Sequence, residues 1–508
     1  MESGNTFSAR FGPALVLCAL SGCTVGPKYH PPVTQTPPVY KESPEQFKET
    51  EGWTAAKPQD AMLRGKWWEI FKEPELNILE EKLRIDNQNI KQFFETFMEA
   101  RALIREARAQ YYPTVNALPS YVRSGTSANL GHAASGAGGV VSTSGSTATL
   151  ITLPIDVSWA PDLWGRVRNL VRQDQYAAQL GAADVENERL TEQASLAQFY
   201  FEIRGQDELQ KVLNNTVVAD KQALELAKAR YETGLDTIIA VDQAEYTLDS
   251  AHAAAINVGL ARAQFEHAIA VLIGVPASEF SLPVRPVTAA PPLIPIGVPS
   301  QLLQRRPDIA AAERNMAAAN AQIGFAYAAY YPVITLTPTG GVESSTFEKL
   351  LLWSSRFWAI GGTLSQNLYD GGLRRATINQ FIAAYNAALA AYRQTVLTAI
   401  QQVEDSLAGV RIQSRQVVQL KKAVESAANA LKVEFGRYET GIDPYLDVVT
   451  AETTLLVNQE TLVTTQVLEM TSTVQLIMAL GGGWDRSELP TPEQVTKKPT
   501  KSETKIQH

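Results

Sequence analysis

Two stretches of this chain repeat each other, and they decide its architecture. Residues 230–245 read RYETGLDTIIAVDQAE, and residues 437–452 read RYETGIDPYLDVVTAE. They lie 207 positions apart (437 − 230), and nine of their sixteen residues are identical. A match of this length indicates tandem duplication, because internal self-similarity reflects a repeated structural unit. Two similar halves therefore replace the usual expectation of about one domain per ~150 residues.

Two further echoes extend the duplication beyond the RYETG stretches. The triplet YYP occurs at residues 111–113 and again at 330–332, and DLWGR at 162–166 is echoed by NLYDGGLRR at 367–375. Each half follows the same order: a helix, YYP, a β segment, a loop, a second β segment, a long helix, the RYETG turn and a returning helix. We therefore expect a first repeat at residues 61–300 and a second repeat at residues 301–484.

The β segments alternate apolar and small polar side chains. Helices predicted at residues 75–111 and 301–330 end at YYP, because proline cannot continue a helix and forces its predecessor to be extended. The four β segments that follow lie at residues 113–123, 151–159, 334–339 and 358–367. One apolar face with aromatic residues at the segment ends is typical of strands in a membrane barrel. A soluble β-sandwich is the alternative.

Four strands are too few to close a membrane barrel, which needs at least about eight. An open sheet edge is not tolerated in lipid. The pattern therefore predicts an oligomer, and two, three or four copies would give 8, 12 or 16 strands.

A proline-free helical pattern follows each pair of β segments. The patterns cover residues 165–233 and 371–440, and at 1.5 Å per residue each predicts a helix roughly 100 Å long. Gly234 and Gly441 suit the left-handed residue that ends a helix. A returning helix is expected at residues 236–273 and at 444–480. A proline-rich segment then joins the two halves.

The amino-terminal residues predict export and a lipid anchor. The ten-residue stretch FGPALVLCAL at 11–20 is too short to span a bilayer but suits the core of a signal peptide. It runs into LSGC at 20–23, so we expect a lipoprotein signal peptide at residues 1–22 and acyl chains on Cys23. A chance LSGC motif is the alternative. A proline-rich, lipid-anchored strap is expected at residues 23–60, and a disordered tail at 485–508.

Composition excludes several classes of protein. The chain has 508 residues and a formal net charge of −8, which argues against a nucleic-acid partner because such proteins need a concentrated basic face. Two cysteines are too few for a disulfide scaffold or a thiolate zinc site. The five histidines have no metal-binding spacing, and no nucleophile elbow, P-loop or dinucleotide motif occurs. The sequence therefore predicts no enzyme, no cofactor and no metal site.

The combination of motifs resembles the TolC/OprM family of outer-membrane efflux proteins, in particular its NodT-type lipoprotein branch. The resemblance covers residues 23–484, and it is carried by CTVGPKYHPP at 23–32, QRRPDIAAAE at 304–313, SQNLYDGGLRR at 365–375, the two YYP triplets and the paired RYETG turns. It implies a mostly α-helical homotrimer with a membrane β-barrel. Three chains with four strands each would form a 12-stranded barrel in the outer membrane, continuous with a long α-helical periplasmic barrel.

The resemblance also implies roles for particular residues at the periplasmic end. The tip turns, where the channel closes and an adaptor docks, would contain Arg230, Tyr231, Gly234, Arg437, Tyr438 and Gly441. The periplasmic gate would be formed by Leu446 and Asp447, with Asp443 and Thr450 nearby. An acidic ring repeated by threefold symmetry favours cations, and a leucine ring restricts passage by dewetting. The alternatives are an ordinary acidic residue at a helix start for Asp447, and ordinary hairpin packing for the arginines and tyrosines.

The implied function is passive conduction of drugs, solvents and other toxic compounds from the periplasm to the outside. The implied partners are a periplasmic membrane-fusion adaptor protein, an inner-membrane transporter of the resistance-nodulation-division (RND) class and outer-membrane lipid. Export of proteins in type I secretion and efflux of heavy metals remain open. A lipid-anchored helical structural protein without a pore is the alternative from a different class.

Overall fold

A computed structural model describes residues 24–32, 36–42, 65–125, 127, 147–286, 291–292, 294 and 299–498. The predicted signal peptide and Cys23 lie outside these residues. The described part of the chain is mostly helical, with a smaller set of β-strands. Among its helices, none combines the length and the apolar character that crossing a bilayer requires.

The helices form two sets of matching length. α3 and α7 have 67 residues each, and α4 and α8 have 35 each. At 1.5 Å per residue they are roughly 100 Å and 50 Å long. The helices in chain order are α1 (Pro74–Asp86), α2 (Gln88–Ala109), α3 (Arg166–Glu232), α4 (Ile238–Leu272), α5 (Leu302–Arg305), α6 (Pro307–Ala328), α7 (Leu373–Glu439), α8 (Tyr445–Ala479) and α9 (Pro492–Thr496). Short 3₁₀ helices lie at Trp67–Phe71, Ala277–Glu279, Pro299–Gln301, Phe347–Lys349, Trp353–Ser355 and Arg486–Glu488.

The two helices predicted before the YYP triplets are each interrupted. Asn87 separates α1 from α2 because its side chain caps the second helix and accepts a hydrogen bond from the Ile90 N–H at 2.9 Å. Arg306 separates α5 from α6 in an extended conformation (φ −103°, ψ 124°). The proline that follows it disfavours the helical region for its predecessor.

Strands form at each of the four predicted β segments but extend beyond the predicted ranges, to Gly125, from Thr147, to Ser344 and from Arg356. Three of the four segments are interrupted. The breaks are at residues 118–119, 337–338 and 360–361, and each contains a proline or a glycine, which weaken a strand. The strands are β1 (Thr114–Ala117), β2 (Ser120–Gly125), β3 (Thr147–Ser158), β4 (Val333–Leu336), β5 (Thr339–Ser344), β6 (Arg356–Ala359) and β7 (Gly362–Ser365).

All strand pairs are antiparallel, and the four segments lie side by side in chain order. β3 pairs with β1 and β2 on one side and with β5 on the other. β5 pairs with β6, and β4 pairs with β7. A bridge between Trp159 and Leu336 joins the two groups. In the described part of the chain, the outer edges of β1/β2 and of β6/β7 have no strand partner.

The described residues 24–32 form neither helix nor strand, and two asparagines hold them. The side-chain amide of Asn169 donates to the Val25 carbonyl at 3.0 Å, and that of Asn320 donates to the Pro27 carbonyl at 3.1 Å. One residue of the predicted strap contributes to the hydrophobic core. Tyr40 is only 2% exposed and belongs to the main hydrophobic core, which also contains Trp67 and Trp68.

The prediction of a disordered tail at residues 485–508 is wrong for the described residues 485–498. The guanidinium of Arg101 donates to the Val495 carbonyl at 3.2 Å and to the Lys497 carbonyl at 2.7 Å. Val495 is buried in a cluster between α2 and α3. Val495 and the partly buried Leu489 anchor the segment, and no periodic pattern in the sequence marks them. Residues 499–508 lie outside the described residues.

One buried carboxylate holds the segment that leads from the first half to the second. Asp207 on α3 accepts hydrogen bonds from Arg204 Nη1 at 3.0 Å, from Arg262 Nε at 2.8 Å and from the Arg285 backbone N–H at 2.8 Å. Arg204 also donates to the Pro283 carbonyl at 2.8 Å. Asp207 therefore ties α3 and α4 to the segment after α4.

Candidate functional site at the helical tip

Each long helix ends in the same turn. Gly234 and Gly441 have φ values of +74° and +78°, a conformation that glycine adopts without the steric cost of a Cβ. In the first turn the Leu235 N–H donates to the Arg230 carbonyl at 2.8 Å, and in the second the Ile442 N–H donates to the Arg437 carbonyl at 2.9 Å. These bonds satisfy carbonyls that the helix end leaves free. The repeated RYETG sequence therefore specifies two equivalent helix ends.

An arginine–aspartate pair closes each turn at equivalent positions of the repeat. Arg230 Nε lies 3.5 Å from Asp236 Oδ2, and Arg437 Nη2 donates to Asp443 Oδ1 at 3.0 Å. The hydrogen bond to Arg437 holds the pKa of Asp443 below its ordinary value. Asp443, which the sequence predicted beside the gate, is therefore engaged by the turn itself.

Arg230 also joins the two hairpins. Its Nη1 donates to the Glu439 carbonyl of the second turn at 3.0 Å, and its guanidinium lies 4.8 Å from the centre of the Tyr438 ring. Tyr438 is 1% exposed, and its burial raises its pKa to about 12. Tyr231, its counterpart in the first half, is 46% exposed. Of the two tyrosines, only Tyr231 offers a surface for a docking partner.

A hydrophobic cluster packs the ends of all four helices together. It contains Ala223, Leu224, Ala227, Ala240, Val241, Ala244, Tyr438, Tyr445 and Val448. The Tyr438 and Tyr445 rings lie 5.2 Å apart, within the range of favourable aromatic pairs. Sequence reasoning missed Tyr445; its spacing of three residues from Val448 at the start of α8 was the available signal.

Three of the four predicted gate residues lie together on the exposed side of α8. Leu446 is 54% exposed, and Asp447 and Thr450 are also exposed. They share a face because residues three and four apart are neighbours on a helix. The Thr450 hydroxyl donates to the Leu446 carbonyl at 2.9 Å. The structure thus groups one apolar, one acidic and one hydroxyl side chain on this helix, whereas Asp443 precedes the helix and pairs with Arg437.

Aromatic side chains tie the sheet to the helices at the other end of the molecule. The Trp164 ring stacks on Tyr331 with 4.8 Å between ring centres, and its indole N–H donates to the Pro332 carbonyl at 2.8 Å. The Val25 N–H donates to the Trp164 carbonyl at 3.2 Å. The described strap therefore begins at this junction. Within the described residues, no group of three or more His, Cys, Asp or Glu side chains could hold a metal ion.

Four β segments that continue into two hairpins of very long helices define the architecture of an outer-membrane channel protein. The chain belongs to the outer membrane efflux protein family, whose sequence model matches residues 81–275 and 298–482. The sequence model of the family therefore matches once in each half of the chain.

Named relatives and solved structures agree with this assignment. The chain is 30% identical to the outer membrane protein OprJ of Pseudomonas aeruginosa, over 94% of this chain and 96% of OprJ. It is 28% identical to the toluene efflux pump outer membrane protein TtgC of Pseudomonas putida, over 93% of this chain and 95% of TtgC. The fold is similar to that of the outer-membrane channel OprN, with a TM-score of 0.77 and 26% identity over 91% of this chain and 100% of OprN.

Proposed function

We propose that this chain is the outer-membrane exit duct of a tripartite efflux pump and that it works as a homotrimer. The observation that carries the proposal is the four-stranded sheet whose two outer edges lack strand partners in the described residues. Such edges cannot remain unpaired in lipid, because unsatisfied backbone groups there are costly. Three copies would close a barrel of 12 strands, and the long helices would continue it as a periplasmic tunnel.

The amino-terminal strap supports anchoring beside this barrel. Thr24, the first described residue, packs against Gly165, which directly follows Trp164. Aromatic residues such as Trp164 and Tyr331 are enriched at membrane interfaces. Acyl chains on Cys23, one residue earlier, would then enter the membrane next to the sheet, and several chains would make a firm anchor.

The opposite end would be the regulated entrance. Leu446, Asp447 and Thr450 would line the pore, and threefold repetition would turn each into a ring. The exposed Tyr231 and the two glycine turns would meet a periplasmic adaptor protein, and that adaptor would connect the duct to an inner-membrane RND transporter. Relatives named for efflux of toluene and antibiotics favour small, largely apolar molecules as cargo.

Conductance of the purified protein in planar bilayers tests the proposal. We expect the mass of a trimer in detergent and low single-channel conductance, and a higher conductance for the Leu446→Ala and Asp447→Ala variants because the constriction widens. Glu425→Ala is the matched control. It removes an exposed charge from α7 about 21 Å from the helix end, counting 1.5 Å per residue.

Two results would contradict different parts of the proposal. A monomeric protein that forms no channels would contradict the proposal that this chain is an exit duct. If both variants form channels of unchanged conductance, the duct is supported, but the proposal that Leu446 and Asp447 form its gate is contradicted. In a strain lacking its outer-membrane efflux proteins, restored tolerance to toluene would identify the class of cargo.

A further inference from the structure

Two carboxyl groups face each other inside the packed helical tip. Asp220 on α3 is 0% exposed, and Glu452 on α8 is 8% exposed. They lie about 18 Å and 10 Å from the tip ends of their helices, at 1.5 Å per residue. Neither oxygen of Asp220 accepts a hydrogen bond from an N–H group or a hydroxyl group of the described residues, and the side chain within hydrogen-bonding reach of it is the Glu452 carboxyl. Two ionised carboxylates cannot make that bond, because each only accepts.

Among the described residues, no positively charged group contacts the two carboxyl groups and neutralises them. α4 contributes His252, which is exposed and acts on Asp220 from a distance. α8 contributes Tyr445, whose hydroxyl is buried without a hydrogen-bond partner among the described residues, and α7 contributes Tyr438 beside it. No lysine or arginine of the described residues forms an ion pair with either carboxyl.

Burial and like charge both disfavour two negative charges at this position. Burial, followed by the contact with Asp220, raises the pKa of Glu452 to about 8. Burial likewise raises the pKa of Asp220. The pair therefore keeps one proton at neutral pH that isolated carboxyl groups would have released.

We propose that Asp220 and Glu452 share this proton and that their hydrogen bond positions the α3–α4 hairpin against the α7–α8 hairpin. Arg230 makes a second polar connection between the hairpins, to Tyr438 and Glu439 at the turn, where Asp236 of the first hairpin also faces Tyr438. An arginine stays charged at every accessible pH, so that connection does not titrate. The carboxyl pair makes the spacing of the two hairpins depend on pH.

The sign follows from the raised pKa. A carboxyl whose pKa is higher in the folded chain stabilises the contact fully below its ordinary value of 4.5, and the contribution is lost as the pH rises through about 8. Between those two values each pH unit shifts the ratio of paired to separated states by up to about tenfold for one proton, and above about pH 8 the shift ends because neither state keeps the proton. The inference concerns a contact within one chain, so it stands or falls independently of conduction.

Infrared spectroscopy and amide hydrogen exchange of the purified full-length protein test this inference. In the difference spectrum between the wild type and Glu452→Gln, we expect the carbonyl band of a protonated carboxyl that titrates between pH 7 and pH 9. Exchange of the amides in residues 436–452, corrected for the intrinsic effect of pH, should rise by up to about tenfold between pH 6 and pH 7 in the wild type and should level off above about pH 8. Glu452→Gln and Asp220→Asn, which each supply a permanent amide donor, should not show that rise.

Glu460→Gln is the matched control. Glu460 lies two turns further along α8, and burial raises its pKa without a second carboxyl beside it. This variant should follow the wild-type profile. The inference is overturned if the wild-type exchange profile is flat from pH 5 to pH 8, if Glu452→Gln retains the rise, or if a chelator alone reproduces the rise at pH 6. The last result would mean that a metal cation, and no proton, holds the pair together.

Discussion

Removing the carboxylate of Asp207 should release the segment that joins the two halves. The side chain is fully buried, and its two oxygens hold Arg204, Arg262 and the backbone of Arg285. Removing one partner of a buried ion pair costs about 3–5 kcal/mol, because the other charge is left uncompensated. Glu75 still pairs with Arg204 in Asp207→Ala, so we expect the lower end, about 3 kcal/mol.

Hydrogen exchange measures this effect directly, because the Arg285 amide donates to Asp207 at 2.8 Å. A loss of about 3 kcal/mol corresponds to roughly a hundredfold faster exchange of the amides in residues 282–286, since 1.4 kcal/mol is a factor of ten. Asp207→Asn retains one acceptor oxygen and should show a smaller increase. If Asp207→Ala does not fold, the asparagine variant still gives a measurable result.

Asp249→Ala is the control, because Asp249 is an exposed acid on α4. It should leave exchange at residues 282–286 unchanged. An increase below threefold in Asp207→Ala would refute the reasoning, because it would show that the two arginines hold the segment without their shared carboxylate. An equal increase in Asp249→Ala would show that the effect is not specific to the buried carboxylate.

Three further predictions concern stability. Glu80 is fully buried and its oxygens accept no hydrogen bond from the described residues, so burial raises its pKa. The folded chain therefore loses stability as the pH rises above 4.5, the ordinary pKa of the group. Glu80→Leu should raise the unfolding temperature more at pH 7 than at pH 4, and a lower unfolding temperature of the variant at pH 7 would contradict this. A Cβ at Gly205 would overlap the side chain of Val467. Gly205→Ala should therefore lower the free energy of unfolding by about 1–3 kcal/mol through overpacking. The double variant that adds Val467→Ala should recover the unfolding temperature. Arg101→Leu removes two hydrogen bonds to the carboxyl-terminal segment. Tryptic cleavage after Lys497 should therefore be on the order of tenfold faster. An unchanged cleavage rate would show that the hydrogen bonds of Arg101 do not hold this segment.

The pattern of the sequence predicts the long elements well, because each depends on local signals. Absence of proline and regular spacing define α3 and α7, which begin and end within two residues of the predicted ranges. The YYP triplets define the change from helix to strand. The interruptions at Asn87 and Arg306 were missed, although a capping asparagine and a following proline are local signals too. Each lay inside a longer stretch with good helical composition, which concealed it.

Contacts between distant segments could not be predicted in the same way. Tyr40 enters the core from a proline-rich segment, and Val495 does so from a polar segment. In both cases one apolar side chain among polar neighbours decides the outcome, and no periodicity marks it. The network around Asp207 joins residues of three separate elements, so only the folded chain reveals that its charges meet.

The repeat itself shows most clearly where local sequence stops being informative. The final glutamates of the two RYETG stretches, Glu245 and Glu452, are identical in type and in position, yet Glu245 is exposed and Glu452 is buried. The turns that precede them have the same hydrogen bonds. The difference arises at neighbouring positions, where Ile238 is exposed in the first half and its counterpart Tyr445 is buried against Tyr438.

The two returning helices therefore present different faces after the same turn. Duplication supplied two equal helix ends, and divergence of a few side chains gave each end a separate task. In the first half, position 240 is a buried alanine, and its counterpart in the second half is the exposed Asp447. An exposed acid is available to line a pore, whereas a buried alanine allows close packing of helices. In the proposed duct, gating by the second half would thus follow from substitutions on one helix face, with the same turn before it in both halves.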